Sequence, residues 1–351
     1  MSAQGATRTT GGLQDLHPAY FALVMATGIV SIACHLLGFV ALSKGLFALN
    51  VVFYGTLWGL TMLRVVRYRR AVVADLLHHG RSVGFFTTVA ATCVLGSQCL
   101  VVAENFAAAR ALWCFGIVLW AVLVYAVFTI ITVKTDKPAL TDGINGGWLV
   151  GVVAAQSVSV LGAQLAGGFA EDAPFVLFFS LAAWLGGCML YLWIISLIFY
   201  RYTFFPMSPD DLAPPYWINM GAAAISTLAG TMLVQASPLS PVLLQTLPFV
   251  RGFTVFWWAT ATWWIPMLVI LGVWRHVYRG FPLRYDPLYW GAVFPLGMYT
   301  VCTFRLSRAV DAPYLARISQ AFVYVALAAW LCAALGMFAS LFASLRGARS
   351  R

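Results

Sequence analysis

The sequence predicts an all-α polytopic membrane protein: ten transmembrane helices paired as five hairpins, the odd helices forming an inner ring around a central pore and the even helices outside. Three observations carry this: apolar runs long enough to cross a bilayer, a weak repeat over every second run, and a sorting of residue types between alternate runs. Of the 351 residues, 62% are hydrophobic and only 9% are charged; the mean hydropathy is +0.87. A soluble domain carries about 25% charge, so a water-soluble fold of this size would lack the polar surface to cover itself. That excludes an ordinary soluble enzyme, a nucleic-acid-binding domain and a disordered chain. The net charge of +10 does not restore nucleic acid as a partner. The basic residues fall between apolar runs, not in a patch interleaved with aromatics.

A bilayer-crossing helix needs about 20 mostly apolar residues. Ten runs meet this, at about 18–40, 45–64, 83–103, 109–133, 146–167, 174–200, 216–236, 250–274, 287–307 and 316–345. The links are too short for a soluble domain. One membrane domain is therefore expected over 18–345, with tails at 1–17 and 346–351. Placing both tails in the cytoplasm puts 15 Lys and Arg inside and six outside: Lys44, Arg110, Arg251, Arg305, Arg308 and Arg317. That is the sign of the positive-inside rule, so both termini are expected in the cytoplasm; the expected location is the cell inner (plasma) membrane.

The odd spans begin alike. Their starts are His17-Pro18-Ala19-Tyr20-Phe21, Ser82-Val83-Gly84-Phe85-Phe86, Gly146-Gly147-Trp148-Leu149, Pro214-Pro215-Tyr216-Trp217 and Asp286-Pro287-Leu288-Tyr289-Trp290. Each sets an aromatic at the start and then runs into Gly, Ala, Ser and Thr. Eleven of the fourteen Trp lie on even spans, and the other three stand at odd-span starts. Bulky aromatics tolerate lipid, whereas small and hydroxyl residues suit close helix contact or a watered path. The pore-lining candidates are Thr27, Gly28, Ser31, Thr88, Thr92, Ser157, Ser226, Thr227 and Thr300. Helix packing without a pore is the alternative reading of the same residues.

No carboxylate sits in mid-span, which counts against a proton-coupled pump. A lone histidine, His35, cannot supply paired axial ligands for a haem. The seven cysteines show neither CxxC nor metal-ligand spacing and read as buried structural thiols. No cofactor and no metal are expected. A hydroxyl-lined path with an excess of positive charge suits small anions held weakly enough to move on. Arg305 and Arg308 share a helical face at the outer end of span 9, where they either attract anions to the mouth or snorkel to headgroups. In the same span Pro295 has no N–H, leaves the carbonyl of Gly291 without its helical partner, and predicts a kink. Phe294 adjoins that kink. Pointed inward it plugs the path as a hydrophobic gate; pointed elsewhere it is ordinary packing.

Several of these stretches together resemble a known family. They are His17-Pro18-Ala19-Tyr20-Phe21 running on through Met25-Ala26-Thr27-Gly28, Trp148-Leu149, Pro214-Pro215-Tyr216-Trp217-Ile218-Asn219-Met220-Gly221, and Phe294-Pro295. The sequence is similar to the tellurite-resistance/C4-dicarboxylate transporters, which include plant slow-type anion channels, fungal malate permeases and fungal sulfite exporters. The resemblance implies ten helices in five hairpins, a pore in each protomer of a homotrimer, and a phenylalanine in span 9 that occludes it. Phe294 takes that position, or Ala292 does in a register shifted by two residues. Candidate substrates are malate and other C4-dicarboxylates, sulfite, tellurite and inorganic anions. The competing expectation is a proton-coupled C4-dicarboxylate carrier working by alternating access.

Overall fold

The computed structural model describes residues 12–349. The tails expected over 1–17 and 346–351 therefore lie partly outside the described residues, and Arg8 and Arg351 with them. Among the described residues the long elements are all helical: α1 (Ala22–Leu36), α2 (Val40–Arg67), α3 (Phe86–Val101), α4 (Phe106–Val133), α5 (Val150–Leu165), α6 (Ala173–Phe204), α7 (Ile218–Ala236), α8 (Pro241–Val273), α9 (Trp290–Ala309) and α10 (Ala316–Arg349). Eight helical stretches are long and apolar enough to cross a membrane. One of them, Gly146–Phe204, contains both α5 and α6, joined through a bend where Ala170 takes φ 47° and ψ −114°. Helix α9 is outside the eight; it carries Pro295, Arg305 and Arg308. Its neighbours are other helices, so it has less need of an apolar surface. This is a polytopic, all-helical membrane protein.

Burial alternates along the chain. The most apolar windows of Pro18–Leu36, His79–Val101 and Pro214–Leu239 are 78, 83 and 94% buried, against 17, 11 and 22% in Val40–Arg67, Phe106–Val133 and Pro241–Tyr278. Helices hydrophobic on every side belong in an interior, and that is where α1, α3 and α7 sit. Each packs against its successor: α1 on α2, α3 on α4, α5 on α6, α7 on α8 and α9 on α10. The buried helices also touch in a closed order, α1 to α3 to α5 to α7 to α9 and back to α1.

All five of these helices start with a short 3₁₀ turn, at Pro18–Phe21, Val83–Phe85, Gly146–Leu149, Pro214–Trp217 and Pro287–Tyr289, and the turns touch in the same cyclic order. Local chemistry explains the turns. Proline stands early in three of them, where its missing N–H is no loss. Side-chain acceptors cap three: His17 Nδ1 takes the Ala19 N–H at 3.0 Å, Asn145 Oδ1 the Gly147 N–H at 2.8 Å, and Asp286 Oδ1 the Leu288 N–H at 2.8 Å. Turn meets turn so closely that a Cβ on Gly146 would lie 2.6 Å from the Cα of Tyr216.

The tryptophans of the outer helices are not simply a lipid-facing coat. Trp184 and Trp257 are fully buried. One aromatic from each outer helix donates, or shares, a hydrogen bond with the inner helix of the next pair. Tyr54 of α2 meets Thr92 Oγ1 at 2.9 Å, and the Trp113 indole of α4 donates to the Val158 carbonyl at 3.0 Å. Trp184 of α6 donates to the Ser226 carbonyl at 2.8 Å, Trp258 of α8 to Thr303 Oγ1 at 3.0 Å, and Trp330 of α10 to Thr27 Oγ1 at 3.0 Å. An indole N–H away from water needs such an acceptor, so these rings turn inward. The cysteines also divide: five are buried, but Cys114 and Cys332 are exposed on α4 and α10, contrary to seven buried thiols.

Candidate functional site

The five 3₁₀ turns enclose a vestibule of about 410 Å³. Its wall takes His17 and Met25 from the first turn and α1, Thr87 from α3, Val153 from α5, Ile218 from α7, and Gly291 and Phe294 from α9. The N-termini of all five buried helices face this space. Helix N-termini carry partial positive charge and free N–H groups, which favours anions there.

A second cavity, of about 20 Å³, is lined by the same five helices further along: Ile29, Ser97, Ser157, Ile225, Met298 and Arg305 contribute to it. The two cavities are consecutive on each helix. Met25 lines the first and Ile29 the second on α1; Val153 and Ser157 do so on α5, and Phe294 and Met298 on α9. Residues four apart share a helical face and are displaced by one turn, about 6 Å. The cavities therefore lie along one axis, with Phe294, 1% exposed, at the inner end of the vestibule.

Four residues singled out from the sequence line these two spaces: Gly291 and Phe294 the vestibule, Ser157 and Arg305 the smaller cavity. The remainder make other contacts. Pro295 packs on α7, where a Cβ on Gly221 would come within 2.7 Å of its ring, and α9 remains helical through it. Thr27 and Thr92 accept or share the aromatic hydrogen bonds given above. Gly28 faces Val94 and the Asn50–Gln98 amide pair, itself bonded at 2.6 Å. The Ser31 hydroxyl donates to the Ser43 carbonyl of α2 at 2.8 Å. Thr88, Ser226, Thr227 and Thr300 donate back to the carbonyls of Phe85, Ala222, Ala223 and Leu296 on their own chain segments. Arg308 is exposed, with its guanidinium 4.5 Å from the Phe304 ring centre.

Sequence reasoning missed the polar rim of the vestibule. Arg201, buried at the end of α6, donates to the carbonyls of Thr141 and Pro206, both at 3.1 Å, and pairs with Asp211 at 3.4 Å. It thereby fastens two loops that wall the cavity. Desolvation raises the Asp211 pKa, but the Ser208 N–H and hydroxyl and Arg201 outweigh it and hold the carboxyl below its ordinary value. His17 is pushed down to about 4, chiefly by burial and then by Arg81, so it is neutral at pH 7. Outside the vestibule lining, Asp75 pairs with Arg64 at 2.7 Å and with Arg81 at 2.5 Å. The Asp210-Asp211 doublet was the one visible signal in the sequence; its pairing with Arg201 was not. Among the described residues no group of three or more His, Cys, Asp or Glu is placed to hold a metal.

Buried helices around two collinear cavities, under a lipid-facing layer, define a helical membrane transport protein. Residues 15–338 match the voltage-dependent anion channel family, and the chain belongs to that family. Its members are channels and transporters, not enzymes. The chain is 41% identical to an uncharacterized membrane protein of Mycobacterium tuberculosis (strain H37Rv) over 46% of this chain and 82% of that one. It is 25% identical to an uncharacterized transporter of Methanocaldococcus jannaschii over 83% of this chain and 84% of the relative. A second transporter from that archaeon is also 25% identical, over 82% of each chain.

Proposed function

We propose that the chain carries small anions along the axis between α1, α3, α5, α7 and α9, and that the Phe294 ring occludes this path. The observation supporting it is the pair of collinear cavities, with Phe294 in the vestibule wall one turn before Met298 of the smaller cavity. The helix N-termini on the vestibule and the absence of any carboxylate from the smaller cavity's wall favour anions over cations. In this reading the ten long helices are ten spans in five hairpins, with Gly146–Phe204 counting as two and α9 as one. The five inner helices then form the pore, and 18–345 is the membrane domain. The Pro295 and Gly291 pair gives α9 its local freedom beside the ring. Thr27, Gly28, Ser31, Thr88, Thr92, Ser226, Thr227 and Thr300 serve the walls of the path by packing and orienting the inner helices. Arg305 and Arg308 draw anions to the mouth opposite the vestibule. The protein resides in the cell inner membrane with both termini cytoplasmic, assembles as a homotrimer, and takes inorganic anions, sulfite, tellurite or C4-dicarboxylates such as malate.

The test is anion current across bilayers containing the purified protein, wild type against Phe294→Ala, under chloride, nitrate and malate gradients. The reversal potential is expected to follow the anion. The alanine variant is expected to conduct at least about tenfold more, the effect of lowering a barrier by about 1.4 kcal/mol. Silence in both, together with malate uptake driven by a proton gradient, would replace the channel with a coupled carrier.

A further inference from the structure

Among the described residues three ion pairs are present, and they occupy Arg64, Arg81 and Arg201. Arg305 belongs to none of them and has no hydrogen-bond partner, although it is half-buried and stands in the wall of the smaller cavity. The nearest arginine on its helix, Arg308, is turned outward over Phe304 and is not in that wall. A guanidinium has only donors to offer, and a charge withdrawn from water demands a counter-charge or strong acceptors. The protein supplies no carboxylate in this wall.

What it does supply is a further donor. The Ser97 hydroxyl donates to Gln164 Oε1 at 2.8 Å, and both residues line the cavity. That bond occupies the amide oxygen and leaves the Gln164 NH₂ free to donate. The Ser157 hydroxyl is already committed to the Ala154 carbonyl at 2.9 Å. Most of the remaining wall, Ile29, Ile225 and Met298 included, is apolar surface that cannot hydrate an ion. The volume of about 20 Å³ is room for about one water-sized particle. A C4-dicarboxylate exceeds this volume, so it passes the proposed path only with the Phe294 ring and the walls beside it displaced.

We propose that Arg305 and the Gln164 amide form a binding site for one partly dehydrated, monovalent inorganic anion of the chloride or nitrate class, on the side of Phe294 away from the vestibule. The site deepens the reading of an anion path and makes Arg305 its specificity-determining residue. It differs from mouth attraction in that Arg305 coordinates the ion and Arg308 does not.

Thermal unfolding of the full-length purified protein decides this without any transport assay. At constant ionic strength, replacing gluconate by nitrate is expected to raise the melting temperature of the wild type and of Arg308→Gln, and to leave Arg305→Gln unmoved. In gluconate alone Arg305→Gln is expected to melt at or above the wild type, because it removes an unpaired charge. A nitrate response preserved in Arg305→Gln would overturn the site. So would an Arg305→Gln protein that melts well below the wild type or does not fold, since Arg305 would then have a partner within the protein. In bilayers, on the Phe294→Ala background, Arg305→Gln is expected to raise the half-saturating chloride concentration roughly tenfold, the loss of one charge-assisted contact. A Phe294→Ala protein that carries no anion current would sink the conduction reading, while the nitrate titration still decides Arg305.

Discussion

Asp75 is held between Arg64, itself 4% exposed, and Arg81, and Arg64 also donates to the Gln14 carbonyl. Removing the shared carboxylate leaves a buried guanidinium without its counter-charge. Asp75→Ala should therefore cost about 3–5 kcal/mol, read as a lower melting temperature in detergent. His17 gives a pH dependence of definite sign. Its folded pKa of about 4 lies below the ordinary imidazole value of 6.5, so folding favours the neutral ring that caps Ala19. That contribution is complete above pH 6.5 and is lost as pH falls from there through 4. A melting profile across that window should decline on the acid side, and His17→Asn, which keeps a capping acceptor, should flatten the decline.

Single residues also show where reading from sequence stops. The hydroxyls of Thr27 and Thr92 are spent on aromatics from outer helices. A helix apolar on all sides has no polar face to announce which way each hydroxyl points. Arg201 and Asp211 meet across a turn, and the carbonyl of Thr141, which Arg201 also holds, is 60 positions away. No periodicity encodes that contact.

At the scale of elements, the starts of the inner helices were legible because an aromatic recurs at each, with proline at three of them and a capping side chain at three. Their mutual contact was not, since nothing in the repeat says that five turns touch. The close approach at Gly146 makes it testable. A methyl group there meets the backbone of Pro215 and Tyr216, which cannot swing aside as a side chain can. Gly146→Ala should destabilise by about 1–3 kcal/mol or more, seen as reduced yield of monodisperse protein and a lower melting temperature. The aromatic clamps are milder. Trp330→Phe keeps the ring but loses the bond to Thr27, and should cost about 0.6–2 kcal/mol, the range for interhelical hydrogen bonds in membranes. The sequence located these tryptophans on outer helices but not their inward direction, because an indole suits an interface and a buried acceptor equally well.

For the molecule as a whole, hydropathy and the alternation of bulky and small residues made the membrane class and the buried helices readable. The cavities were not readable, because their volumes depend on how five separate faces close on each other. Assembly is a property of this scale as well. Light scattering of the detergent-solubilised protein, corrected for detergent, should give three times the 38.3 kDa chain mass; a value near one chain mass would remove the trimer from the proposal.

If anions travel the proposed path, the unequal capacity of its two compartments, about 410 against 20 Å³, makes it directional. A bulky anion can lodge at the roomy end and cork it, whereas the same anion offered from the narrow end finds no berth. Organic anions bulkier than the proposed substrates should thus block current from one face only, and with a strength that depends on the sign of the voltage. Rectification of this kind would arise from the shape of the conduit and not from the movement of the Phe294 ring.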